Sequence, residues 1–135
     1  MIAINVTDAD IMEMRFAFSP LVEAMTSYNM LNKYPQPSQY MAWVDEATRA
    51  LQDVDLPYMN EMIVGRSCIP DFLTPTPTAP SIDFEEELKR LCDTPTVIVE
   101  EHIRFMMEFE GESDLLNYAL AHPRQTIDAL VDELR

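Results

Sequence analysis

The histidines and cysteines of this sequence are its first candidates for metal binding or nucleophilic chemistry. Cys68 and Cys92 lie 24 positions apart, with no Cys-x-x-Cys pair and no histidine at ligand spacing. His102 falls on an apolar helical stripe, and His122 stands at a helix junction before Pro123. We therefore predict reduced thiols, no metal site, and a core or half-buried His102 with a single hydrogen bond.

Carboxylates are the next candidates, because they cluster at residues 85–87, at 100–101, and at Glu108 and Glu110. A cation site or an acid–base pair needs carboxylates that converge, often in unlike environments. These stand at successive helix positions that fan outward, so they predict a solvated face. Two glycines cannot build a glycine-rich phosphate loop, and no Gly-x-Ser-x-Gly elbow occurs. We predict no enzymatic activity and no cofactor.

An apolar ligand site is the remaining chemical possibility, because methionine recurs at surfaces that accept varied apolar partners. Many of the ten methionines are in phase with helical core stripes, which favours simple packing. A pocket for a small apolar effector or a protein partner would use aromatic and methionine side chains. The candidate lining residues are Met25, Tyr28, Trp43, Phe105 and Met106.

The charge balance limits the partners of the chain. Twenty-four acidic against nine basic residues give a net charge of -15, which repels phosphate backbones and anionic lipid. No apolar run approaches the roughly 20 residues of a spanning helix, and the N-terminus lacks the basic start of a signal peptide. We expect a cytoplasmic protein that binds neither membrane nor, by itself, DNA.

Apolar periodicity and capping signals predict a mostly α-helical bundle of six or seven helices. The start signals are Thr7 or Asp8, Ser19 with Pro20, Ser38, Asp83, Thr94 with Pro95, Ser113, and Pro123. Residues 2–6 alternate as in a short strand, which would pair with residues 58–64, with another copy of the protein, or with residues outside this segment. The pattern at 57–64 also fits a helix, which we favour there.

The stretch 66–80, "RSCIPDFLTPTPTAP", combines four prolines with large apolar residues. A flexible linker would be rich in glycine and serine and would not expose such residues. We predict an ordered, polyproline-like arm anchored in the core by Pro70, Phe72 and Leu73, looser at 76–79. The arm makes residues 1–135 one domain.

Three segments resemble the N-terminal region of bacterial ArsR-like winged-helix transcriptional regulators. They are "MRFAFSPLVEAMTSYNML" at 14–31, "PDFLTPTP" at 70–77, and "FEEELKRL" at 84–91, followed by "TP". The matching positions are Arg15, Phe16, Ser19, Pro20, Leu21, Glu23, Pro70 to Pro75, Phe84, Glu87 and Leu88.

The resemblance implies a non-catalytic N-terminal module that serves in dimerisation, effector sensing or positioning of the winged helix. In the family the winged helix lies C-terminal to this region, and this sequence has no counterpart of it, so DNA contact would come only through that absent part. Because the helical pattern is still in phase at Leu134, we expect the front part of a longer polypeptide. We expect a homodimer; the alternative is a stand-alone acidic protein-interaction domain.

Overall fold

The computed structural model describes residues 3–14, 16–32, 38–64, 66 and 69–135. These ranges contain eight α-helices, 3₁₀ turns at Ser38–Tyr40 and Asp71–Leu73, and no β-strand. The helices are α1 (Asp8–Glu13), α2 (Pro20–Leu31), α3 (Met41–Leu51), α4 (Pro57–Ile63), α5 (Phe84–Cys92), α6 (Thr96–Glu110), α7 (Asp114–Ala121) and α8 (Pro123–Leu134).

Local capping chemistry begins most of these helices where the sequence predicts. The Ser19 hydroxyl accepts a hydrogen bond from the Val22 N–H, and Ser113 caps α7 in the same way. Asp83 caps α5 by accepting from a backbone N–H in its first turn. Thr7 and the acid three residues later form a complete capping box at α1. The helix predicted to start at Ser38 is a 3₁₀ turn first and becomes α-helical at Met41.

The predicted N-terminal strand is wrong within the described residues, because residues 3–7 have no regular structure. A strand requires a partner for its backbone hydrogen bonds, and the proposed partner segment forms helix α4 instead. Ile2, the first residue of that predicted strand, lies outside the described ranges. Within the described ranges, β-type pairing takes the form of an isolated parallel bridge between Phe18 and Ser81.

The hydrophobic core joins α2 and α4 to α5 through α8. Its fully buried members include Leu21 of α2, Leu88 of α5, Ile103 of α6 and Leu130 of α8. In contrast, α1 and α3 bury no residue completely. The apolar face of α3 is therefore only partly covered by the rest of the fold, and α1 lies outside the core.

The proline-rich arm enters this core. Pro70, Phe72 and Leu73 are all buried, and the Phe72 N–H donates to Nδ1 of His102 at 3.2 Å. Residues 71–73 form a 3₁₀ turn, so the expected polyproline geometry is interrupted there. The turn buries the side chains of Phe72 and Leu73. Cys68, predicted as a free thiol, lies outside the described residues, whereas Cys92 is a half-buried free thiol.

None of the helices that the structure describes is both long and apolar enough to cross a membrane.

We predict that Phe72→Ala destabilises the fold by about 3 to 5 kcal/mol, because it removes a buried ring and leaves a cavity between arm and helices. Phe109→Ala is the matched control, since Phe109 is 68% exposed and mainly contacts the Phe105 ring. We expect the control to cost about 1 kcal/mol or less. Urea denaturation of both variants measures the difference, and equal losses would show that the arm is not anchored through Phe72.

Candidate functional site

Helices α2 and α3 meet along a groove that contains two cavities. One, of about 150 Å³, is lined by Tyr28 and Leu31 from α2 and by Trp43 and Leu51 from α3. The Tyr28 hydroxyl donates to Oδ1 of Asn60 at 2.7 Å, which ties this end of α2 to α4. Burial, followed by the charge of Glu133, raises the pKa of Tyr28 above its ordinary value of 10.0.

The second cavity of the groove, about 260 Å³, lies between one face of α2, from Glu23 to Met30, and the beginning of α3. Its lining residues are Glu23, Thr26, Ser27, Met30, Tyr40 and Trp43. Trp43 and Ser27 line both cavities, and Trp43 has 37% of its surface exposed. The groove therefore presents an aromatic residue and a carboxylate to the same small space.

Phe105 and Met106 lie in a different place from Tyr28 and Trp43. They line a crevice of about 70 Å³ together with His102 and the start of the arm. Phe105 is half exposed, with its ring 4.5 Å from that of Phe109, whereas Met106 is buried. This crevice is a joint between α6 and the arm.

The five predicted ligand contacts thus divide among three environments. Tyr28 and Trp43 share a cavity, Phe105 and Met106 share a crevice, and Met25 is fully buried in the core. Helical periodicity identifies residues on the same face of one helix but does not say which helices meet. Glu23 and Tyr40 were not among the predicted contacts. The spacing of Tyr40 and Trp43, three positions apart, was the available signal that both point to one side.

One predicted solvent-facing acid is instead buried. Glu87 is 1% exposed and accepts hydrogen bonds from the Ser19 hydroxyl at 2.5 Å and from the Leu21 N–H at 2.7 Å. Its carboxylate satisfies one backbone N–H and one side-chain hydroxyl at the start of α2, where the helix dipole also favours negative charge. Glu85 and Glu86 are exposed, as the solvated-face interpretation predicts.

Glu133 of α8 makes the same kind of contact with α4. Its two carboxylate oxygens accept from the N–H groups of Tyr58 at 2.9 Å and Met59 at 2.8 Å. Burial raises the pKa of Glu133, the two backbone hydrogen bonds oppose this, and nearby Asp55 adds to the increase. The net direction is upward, so the two hydrogen bonds do not fully compensate for desolvation.

Other acids form ion pairs, including Glu100 and Glu110 of the clusters that were predicted to face solvent. Arg66 bonds to both Glu61 and Glu110, the latter at 3.3 Å, and the Ser113 hydroxyl donates to Glu61 at 2.9 Å. Glu100 pairs with Arg104 one turn later at 3.5 Å. Within the described ranges, no three histidine, cysteine or acidic side chains are grouped so that they could hold a metal ion.

The histidines have structural contacts. His102 is half-buried, accepts one backbone hydrogen bond from Phe72, and stacks on that ring at 5.9 Å, as predicted for a single hydrogen bond. His122 stands between α7 and α8 and places its ring 4.5 Å from that of Tyr118.

We predict that Glu87→Ala destabilises the protein by about 3 kcal/mol, because it removes two charge-assisted hydrogen bonds and leaves their buried donors unsatisfied. Glu86→Ala is the matched control: it is the preceding residue of the same helix, is exposed, and pairs only with Arg90 among the described ion pairs. We expect that control to lose about 0.5 kcal/mol or less. Urea unfolding compares the two, and equal effects would contradict the capping role.

The raised pKa of Glu133 predicts that the stability of the folded chain changes with pH in one direction. A pKa raised above the ordinary 4.5 means that the folded chain binds this proton more tightly than the unfolded chain. Its stabilising contribution is therefore present below the unfolded pKa and is lost as pH rises through the folded pKa. We expect the stability of the wild type relative to Glu133→Gln to fall as the pH rises from below the ordinary pKa of 4.5 through the raised pKa of the folded state. Urea unfolding of both proteins across that range tests this, and a rising difference would contradict it.

Comparisons of the chain with protein-family models, with curated proteins and with solved structures found no match. The resemblance to ArsR-like regulators therefore rests on the three sequence segments alone. Two of its motif positions have clear structural roles, since Ser19 and Glu87 bond to each other. That contact explains why serine and glutamate suit these positions in this fold, whatever the role of the chain.

Proposed function

We propose that this chain is a non-catalytic module of a transcriptional regulator and that it serves in dimerisation through residues 3–18. The observation that carries this proposal is the exposure of large apolar side chains along this segment. Ile4 and Phe16 are 82% and 86% exposed, and Val6, Ile11 and Phe18 are each more than half exposed. Several large exposed apolar side chains within one short segment are a feature of protein–protein contact surfaces.

The short helix in this segment supports the same conclusion. Helix α1 has only six residues and buries none of them, so tertiary packing within one chain contributes little to its stability. Its capping box is nevertheless complete, with the Thr7 N–H donating to the Asp10 carboxylate at 2.7 Å. A second copy that covered Ile11 would supply the missing apolar burial.

The apolar segment continues onto the proline-rich arm. The Phe18 N–H donates to the carbonyl oxygen of Pro80 at 2.9 Å, which fixes the end of the segment against the arm. Phe16 and residues 77–80 line a shallow cavity of about 300 Å³ beside this contact. This cavity beside the exposed apolar segment gives a second copy a place to bind, and a two-fold dimer would use the same surface of both copies.

Charge opposes this association and gives it a characteristic salt dependence. Two copies that each carry a net charge of -15 repel one another at low ionic strength. The screening length falls from about 10 Å at 0.1 M salt to about 3 Å at 1 M. A dimer held by apolar contacts therefore becomes tighter as salt is added.

We predict a dimer whose dissociation constant decreases between about 0.05 M and about 0.5 M sodium chloride. The double variant Ile11→Ser with Phe16→Ser should raise that constant at least about tenfold, because each copy loses two exposed apolar side chains from the contact. Sedimentation velocity over a concentration series measures both effects.

Phe109→Ser is the matched control for this experiment, since it removes an exposed phenylalanine from α6. It should leave the dimer unchanged, and circular dichroism should show equal helix content in all three proteins. A wild-type monomer at about 100 µM would overturn the proposed dimerisation. The regulator role has a separate test, which is whether the full reading frame encodes a basic winged helix downstream.

A stand-alone acidic interaction domain is the second candidate, and the excess of acidic over basic residues favours it. Such a domain would choose a basic partner by charge complementarity and would bind it more weakly as salt is added. A monomer that binds basic peptides with that salt dependence, from a reading frame without a winged helix, would support this candidate over dimerisation.

A further inference from the structure

The larger cavity of the α2–α3 groove combines three features at one place. Trp43 and Tyr40 expose 37% and 40% of their surfaces beside it, and Glu23 supplies a carboxylate from the first turn of α2. Among the ion pairs of the described residues, none involves Glu23. Glu61, in contrast, already has Arg66 as its cationic partner.

Aromatic faces and a carboxylate together are the chemistry that binds organic cations. A ring attracts a cation placed over its face because of its quadrupole, and tryptophan is the strongest of the aromatic residues in this respect. A carboxylate at the same cavity adds a charge-assisted hydrogen bond to an N–H group. A purely apolar ligand would leave Glu23 without a complementary group.

The size of the cavity limits the ligand. Its volume of about 260 Å³ is below the roughly 300 to 1,000 Å³ of pockets that enclose drug-sized molecules. One side chain fits this space better than a whole effector does. The net charge of -15 would also steer a basic protein toward the surface.

We infer that this cavity binds a basic side chain, arginine or lysine, of a protein partner, with Trp43 and Tyr40 against its cationic group and Glu23 as its counter-charge. The site is formed by α2, α3 and Tyr40, and none of its described lining residues belongs to residues 3–18, which form the proposed dimer surface, so its test is separate from that of dimerisation. It differs from the apolar pocket predicted from sequence, since only Trp43 is common to both sets.

Trp43 provides a direct readout, because it is the single tryptophan of the chain. We would titrate the protein with the capped pentapeptide Gly-Gly-Arg-Gly-Gly and with the same peptide carrying citrulline, a neutral analogue of arginine. The arginine peptide should change Trp43 fluorescence saturably and bind at least about tenfold more tightly than the citrulline peptide. Its binding should weaken as salt is added, opposite to the proposed dimer.

Glu23→Gln tests the counter-charge and should reduce arginine-peptide affinity about tenfold. Glu46→Gln is the matched control, since Glu46 is an exposed acid of α3 that is not among the residues lining the cavity. Equal urea midpoints would show that both variants are folded, and the Ile11→Ser, Phe16→Ser variant should bind the peptide normally.

Three results would overturn the proposal. The first is a citrulline peptide that binds as tightly as the arginine peptide, which would make the site apolar. The second is a Glu23→Gln variant with unchanged affinity. The third is free guanidinium ion binding as tightly as the peptide, which would indicate a small-cation site and no selection for a protein side chain.

Discussion

The buried carboxylate of Glu87 is the contact on which the arrangement of the first half of the chain depends. It joins α5 to the start of α2 across 68 positions of sequence, bonding to both the Ser19 hydroxyl and the Leu21 N–H. A buried carboxylate is costly unless its oxygens are fully hydrogen-bonded, so this contact tolerates little variation in the position of α2. Because α3 packs against α2, the groove between them depends on the same carboxylate.

Glu133 repeats this device at α4, where it accepts from two backbone N–H groups. In both cases an acid from a later helix completes the hydrogen bonds at the beginning of an earlier one, where the helix dipole also favours negative charge. Some acidic residues of this chain therefore hold helices together inside the fold, besides giving the surface its negative charge. The two contacts connect the N-terminal helices to the C-terminal helices by polar bonds beside a common apolar core.

The core and the exposed surfaces divide the apolar residues into two groups with different consequences. Helices α2 and α4 through α8, with the arm, supply the buried apolar side chains that pack against one another. The segment around α1 and the face of α3 leave such side chains exposed or half-exposed. These two regions carry the proposed dimer surface and the proposed cation site, and each can be altered without removing a residue from the core.

The sequence by itself determined where most of the helices begin, because capping and proline signals act within one turn of the chain. Ser19, Asp83 and Ser113 cap the helices that they were expected to cap. The arm residues Phe72 and Leu73 are buried, as their combination with fixed proline angles suggests. Only the tertiary structure decided that residues 3–7 form no strand, because strand formation depends on a distant partner. It also separated Trp43 from Phe105 and buried Glu87, since the meeting of helices is set by contacts between positions far apart in sequence.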